Sequence, residues 1–235
     1  MQKILIPYGK QFIDHDDENE VKNSLRAKLI TTGNYVSSFE SAVIKKFRSK
    51  YALTCSSATT GLHLAYLSIG LKKGDTVIMP SINFISSYRM ADLLGAKIYL
   101  ADVDPITGQM TPKKLLECIK KNKLTKIKAI VTMYLGGLVE NNLAFYKIKK
   151  KYKCSLIEDA CHAFGGKYSL HNVNYNVGSC KHSDLCVFSF HPVKTITTGE
   201  GGIVTTNNKK YADKIKLLRS HGIQKEWTMM EHQMH

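Results

Sequence analysis

Missing first of all is any long apolar run: nowhere in the 235 residues is there a stretch that would span a bilayer. The opening residues, Met1-Gln2-Lys3-Ile4-Leu5-Ile6-Pro7, hold one basic residue and an apolar stretch too short for a secretory leader. The expectation is therefore a cytoplasmic protein. Low-complexity tracts and internal repeats are absent too, so the length suffices for one large domain or two small ones. No CxxC pair occurs among the cysteines at 55, 118, 154, 161, 180 and 186, which argues against a zinc site and against a dense disulfide framework. Four of them lie in or beside apolar strand-like runs, where a free thiol acts as a small hydrophobe.

Arginine is sparse although the net charge is +15. The excess is lysine scattered over helix faces, as at Lys45, Lys46, Lys72, Lys73, Lys120, Lys121, Lys149, Lys150 and Lys151. No basic stripe is interleaved with stacking aromatics, so a solvated lysine-rich surface is favoured over a nucleic-acid face. A positive field still favours small anionic ligands.

What is present alternates. Asp16-Asp17-Glu18 opens a helical stretch with Val21, Leu25 and Leu29 at spacing four, broken at Thr31-Thr32-Gly33-Asn34. A second helix carries Phe39, Val43 and Phe47 on one face. Strand-like runs follow at Tyr51–Cys55, Thr76–Met79, Lys97–Ala101, Ala129–Met133, Ser155–Glu158, Leu185–Phe190 and Ile203–Thr206. Helical patterns lie near Ser86–Leu94, Pro112–Asn122, Asn142–Tyr152 and Lys209–Arg219, while Tyr168–Lys181 reads as a loop or hairpin. This predicts an α/β fold with a mainly parallel seven-stranded sheet between helices. In such sheets ligands bind beyond the carboxyl ends of the strands. Ser57–Thr59, Asn83-Phe84, Asp159 to His162 and Ser189 to Lys194 all follow strand ends, so four ends are expected to converge on one cleft.

Three stretches carry chemistry. Ser56-Ser57-Ala58-Thr59-Thr60-Gly61 is a small-residue turn into a helix, where free amides and hydroxyls make an anion site, although such residues also cap helices that bind nothing. Ile157-Glu158-Asp159-Ala160-Cys161-His162 ends a buried strand on two acids; with one histidine nearby, a metal is the weaker reading. Ser189-Phe190-His191-Pro192-Val193-Lys194 leads into Gly199-Glu200-Gly201-Gly202, a setting that can desolvate an amine for Schiff-base chemistry. A pyridine cofactor bearing a phosphate and an aldehyde needs an anion site, a carboxylate for its ring nitrogen, a lysine and an aromatic over the ring. Thr59, Asp159, Lys194 and Phe84 could supply these. The terminal His232 and His235 lack a carboxylate and read as incidental.

These three stretches, in this order, resemble the DegT/DnrJ/StrS family of pyridoxal-phosphate sugar aminotransferases, from Ile6-Pro7-Tyr8-Gly9-Lys10-Gln11 to Arg219-Ser220-His221-Gly222. The resemblance implies a type I fold, with residues 1–235 as the cofactor-binding large domain plus an N-terminal helical segment, and a C-terminal small domain expected to be truncated. It implies catalytic roles for Lys194, which would hold the aldehyde and shuttle a proton, and Asp159, which would keep the ring nitrogen protonated. It implies cofactor contacts from Ala58, Thr59 and Ser189 to the phosphate, from His162 beside the ring hydroxyl, and from Phe84 against the ring. For His162 and Ser189, a satisfied core histidine and a strand-end cap remain open. Partners implied are L-glutamate, a UDP-linked 4-keto sugar of the pseudaminic acid route and a second subunit in a homodimer, with no membrane or nucleic acid. Another nucleotide 4-keto sugar, or an inactive or regulatory fragment, are the alternatives. Tyr134-Leu135-Gly136-Gly137-Leu138-Val139 departs from the family's usual pattern after that strand.

Overall fold

A computed structural model describes residues 9–223. Pro7 and Tyr8 of the opening motif, and His232 and His235, lie outside the described residues. Among those described, no helix is long and apolar enough to cross a membrane.

The chain begins with α1 (His15–Leu25), nucleated by a capping box in which Asp14 accepts from the amides of Asp16 and Asp17 and Asp17 accepts from that of Asp14. This helix stops at Leu25, four residues short of the expected apolar series, and Val21, Leu25 and Leu29 stay exposed. Spacing four identified the helix but not a buried face. In α2 (Asn34–Phe47) the pattern is satisfied, with Val43 and Phe47 buried.

Then follow β1 (Tyr51–Cys55), α3 (Ala58–Ser68), β2 (Thr76–Pro80), α4 (Ile85–Leu93), β3 (Lys97–Ala101), α5 (Pro112–Lys121), β4 (Ala129–Met133), α6 (Asn142–Tyr152) and β5 (Ser155–Asp159). A hairpin of β6 (Lys167–Leu170) and β7 (Val173–Asn176) precedes β8 (Leu185–Ser189), β9 (Gly202–Thr206) and α7 (Lys209–Leu218). The seven-stranded sheet runs β1-β9-β8-β5-β4-β2-β3. β8, β5, β4, β2 and β3 pair in parallel, and β9 is antiparallel to both β8 and β1. Six strands therefore point one way, and their carboxyl ends share one edge with the start of β9.

Both faces are covered, as near-continuous apolar strands require. Val77, Val131, Ile157, Leu185 and Val187 pack with Leu62, Ala65 and Tyr66 of α3 and Ile215 of α7. On the other face Phe188 and Cys186 meet Phe47, and Ile78, Ile130 and Leu156 meet residues of α5 and α6. Near the end of α7, Arg219 donates to the Glu40 carboxylate and to the Thr54 carbonyl at 3.1 Å, while the same Glu40 oxygen accepts from the Thr54 amide at 2.8 Å. That clamp ties α2, β1 and α7 together.

Candidate active site

The start of α3 forms one wall. Ser57 Oγ accepts from the Thr60 amide at 3.2 Å and Thr60 Oγ1 accepts from the Ser57 amide at 3.0 Å, closing a capping box. The next amides, of Ala58 and Thr59, fall in the first turn and have no intrahelical acceptor. Gly202, paired with Cys55 on one side and Ser189 on the other, brings β9 against this turn. The Thr59 and Ser86 hydroxyls lie 2.7 Å apart, joining the first turns of α3 and α4.

Strand alternation separates the two acids of β5. Glu158 shares a face with Cys186 and is buried in a polar cluster: Tyr134 donates to it at 2.6 Å and Asn142 at 3.3 Å. Burial raises its pKa above the usual carboxylate value, and burial together with the Glu158 charge pushes the Tyr134 hydroxyl well up. Asp159 lies on the opposite face, 2% exposed. Its Oδ2 accepts from Ser87 Oγ at 2.9 Å and its Oδ1 from the Cys161 amide at 3.3 Å. Among the described residues no cation lies within ion-pair distance of Asp159.

Beyond β8 the chain turns back on itself. The Lys194 amide donates to the His191 carbonyl at 2.9 Å, and the Thr198 amide donates to the Phe190 carbonyl at 3.0 Å. Phe190, 1% exposed, anchors the loop edge-on between Phe39 and Phe164. Lys194 is half-buried, and its charge reaches both Cys161 and His162. Burial first and the Lys194 charge second hold His162 below the usual histidine pKa. His162 Nδ1 accepts from the Gly136 amide at 3.3 Å, so its other ring nitrogen is left as the donor. A β-carbon on Gly137, at φ +82°, would fall 2.7 Å from the His162 carbonyl oxygen. The departure at Tyr134–Val139 thus reads as packing: Tyr134 turns inward to Glu158 and the glycines admit His162. Phe84 caps α4 and is 67% exposed.

The structure brings Ala58, Thr59, Asp159, His162, Ser189 and Lys194 to one sheet edge, with Phe84 at the mouth. Glu200 is exposed. Sequence reasoning missed Ser86, Ser87 and Tyr66, whose hydroxyl donates to the Ser87 carbonyl at 2.9 Å. A pair of serines opening a helix beside the anion site was the available signal for the first two. These residues fit pyridoxal phosphate: free first-turn amides beside a glycine that admits no side chain suit the phosphate, and a buried carboxylate with only neutral donors in contact suits a protonated pyridine.

The family described as DegT/DnrJ/EryC1/StrS aminotransferase matches residues 11–235. The UDP-4-amino-4,6-dideoxy-N-acetyl-beta-L-altrosamine transaminase of Campylobacter jejuni subsp. jejuni serotype O:23/36 (strain 81-176) is 40% identical over 222 residues, which cover 94% of this chain and 57% of that protein. Helicobacter pylori PseC, an aminotransferase involved in the biosynthesis of pseudoaminic acid, superposes with a TM-score of 0.84 at 30% identity over 94% of this chain and 57% of that one. Spr1654 of Streptococcus pneumoniae, a sugar aminotransferase in its PLP-form, gives 0.83 at 26% identity over 94% and 59%. The chain spans rather more than half the length of these relatives.

Proposed function

The chain belongs to the DegT/DnrJ/EryC1/StrS aminotransferase family, and from that premise we propose that it is a pyridoxal-phosphate-dependent nucleotide-sugar aminotransferase. It moves the amino group of L-glutamate to C4 of a UDP-linked 4-keto-6-deoxy-N-acetylhexosamine, and its product feeds pseudaminic acid biosynthesis. The observation that carries the reading is the common sheet edge holding the free amides of α3, the buried Asp159 and the half-buried Lys194. The sugar is taken from the 40% identity with a transaminase named for a UDP-linked 4-amino-4,6-dideoxy hexosamine. On this reading residues 1–235 form the cofactor-binding large domain with its N-terminal helical segment, and the enzyme acts as a cytoplasmic homodimer. The exposed apolar side chains of Ile82, Phe84 and Ile85 beside the site favour a covering subunit.

Pyridoxal phosphate, when bound, supplies an aldehyde that takes up amino groups and a ring that withdraws electrons as a C–H proton leaves. Asp159 would hold the ring nitrogen in its protonated form by presenting a buried carboxylate. The Ala58 and Thr59 amides, with the Thr59 and Ser189 hydroxyls, bind the phosphate. With Nδ1 fixed by the Gly136 amide, His162 would offer its Nε2 donor to the ring hydroxyl, and Phe84 would pack against the ring. Lys194 Nζ would hold the cofactor's aldehyde, and its free amine would serve as the base for the α-carbon proton of L-glutamate and the acid toward C4 of the sugar.

The test is transfer from 15N-labelled L-glutamate, with pyridoxal phosphate, to a panel of UDP-, GDP- and dTDP-linked 4-keto sugars. Label arriving fastest at C4 of the UDP-4-keto-6-deoxy-N-acetylhexosamine supports the reading. A faster different sugar replaces the substrate, and no transfer to any sugar refutes the function.

A further inference from the structure

We propose that Ser87 is the positioning residue of Asp159, setting the orientation of the carboxylate that meets the ring nitrogen; this rests on the reading of Asp159 given above. Ser87 is fully buried, in the first turn of α4. Serine in a helix often turns its hydroxyl back onto its own backbone. Here the hydroxyl leaves the helix and donates to Asp159 Oδ2 at 2.9 Å, across 72 positions of sequence. Its backbone is fixed in turn: the carbonyl of Ser87 accepts the hydroxyl of Tyr66, a fully buried residue of α3, at 2.9 Å. A chain of two bonds therefore runs from the helix that opens at the anion site, through α4, to the carboxylate on β5.

The chemistry of the donor matters. A cation beside Asp159 would neutralise it and compete with a protonated ring. A neutral hydroxyl stabilises the ionised carboxylate and leaves its charge available. The Cys161 amide on Oδ1 is longer, at 3.3 Å, and the Cys161 thiol, which also hydrogen-bonds Asp159, is a weak donor, so Ser87 is the stronger restraint on rotation of the carboxylate. Without it the carboxylate stays buried with one donor fewer and is freer to turn away from the ring nitrogen.

The experiment measures pyridoxal phosphate dissociation constants by equilibrium dialysis for wild type, Ser87→Ala, Asp159→Asn and the double variant. It also records the 15N chemical shift of ring-labelled cofactor on each. Ser87→Ala is expected to weaken binding about tenfold, the scale of one hydrogen bond to a charged group. It should also move the ring nitrogen resonance toward its unprotonated position. In the Asp159→Asn background the same substitution should change binding by less than about twofold, because a residue acting through another shows non-additive effects. If Ser87→Ala does not fold, Ser87→Cys, which keeps the size and weakens the donor, takes its place with the same expectations. Wild-type-like binding and resonance in the serine variant, or equal losses in both backgrounds, overturn the assignment of Ser87 alone. A wild type that binds no pyridoxal phosphate, or an Asp159→Asn variant that binds it unchanged, overturns the cofactor reading and this inference with it.

Discussion

Gly202 lies so close to Ser57 that a β-carbon on it would fall 2.6 Å from the Ser57 carbonyl carbon and 2.7 Å from the Ala58 nitrogen. The first residue of β9 thereby presses on the turn that opens α3. The backbone of Gly202 has ordinary negative-φ freedom, so the constraint is space and not conformation.

Gly202→Ala is accordingly expected to push the Ser57–Ala58 peptide out of place. A steric insertion of this size into a packed site costs about 1–3 kcal/mol. The sharper effect should be on ligand discrimination. Affinity for pyridoxal phosphate should fall by an order of magnitude or more, while affinity for pyridoxal, which lacks the phosphate, should change far less. Comparing the two ligands by fluorescence titration checks this, and equal losses for both would remove the phosphate from this turn.

Glu158 gives a pH-dependent prediction. Burial raises its native pKa, so the folded chain holds this proton more tightly than the unfolded chain does. The stability that the protonated carboxyl contributes is complete below the ordinary carboxylate range and is lost as pH rises through the raised native value. Above that point the ionised group is a buried charge with neutral donors only. Glu158→Gln should therefore raise the thermal midpoint at neutral pH, with the advantage shrinking as the medium is acidified. Thermal unfolding followed from neutral to acid pH measures the difference. A less stable variant at neutral pH would mean that the bonds from Tyr134 and Asn142 outweigh desolvation.

The Arg219–Glu40–Thr54 clamp gives a third. Both charged side chains are largely covered, at 21% and 18% exposure. Removing the guanidinium strands a mostly buried carboxylate, a loss of about 3 kcal/mol in comparable settings. Arg219→Ala should lower the chemical-denaturation midpoint strongly, and Arg219→Ala with Glu40→Gln should recover part of it. Additive losses would show that the two residues act independently.

Much of this architecture was legible because the strands are apolar on both faces and each is punctuated by a helix. All seven sheet strands, and α5, α6 and α7, fall within a residue or two of expectation. The hairpin was not resolved from a loop because its two turn residues, His171 and Asn172, both take positive φ (51° and 62°) without the glycine that usually marks such a turn. Lys194, Asp159 and Thr59 stand out in sequence by neighbourhood and motif. Ser87 does not, since its partner is known only once the first turn of α4 is brought to the end of β5. The same limit applied to α1, whose spacing says helix and nothing of what covers it. Alternation separates Glu158 from Asp159, and the placement of α3 and α4 puts Asp159, the acid expected from sequence, on their side of the sheet.

Covalent trapping shows directly whether Lys194 carries the cofactor. The protein is incubated with pyridoxal phosphate, reduced with borohydride and digested, and the modified peptide is identified by mass spectrometry. With 30 lysines in the chain, surface labelling is the natural competitor, so Lys194→Ala is run in parallel. Stoichiometric label on Lys194, absent from the variant, is expected. Label spread over other lysines and unchanged in Lys194→Ala, or no label at all, would contradict that role of Lys194.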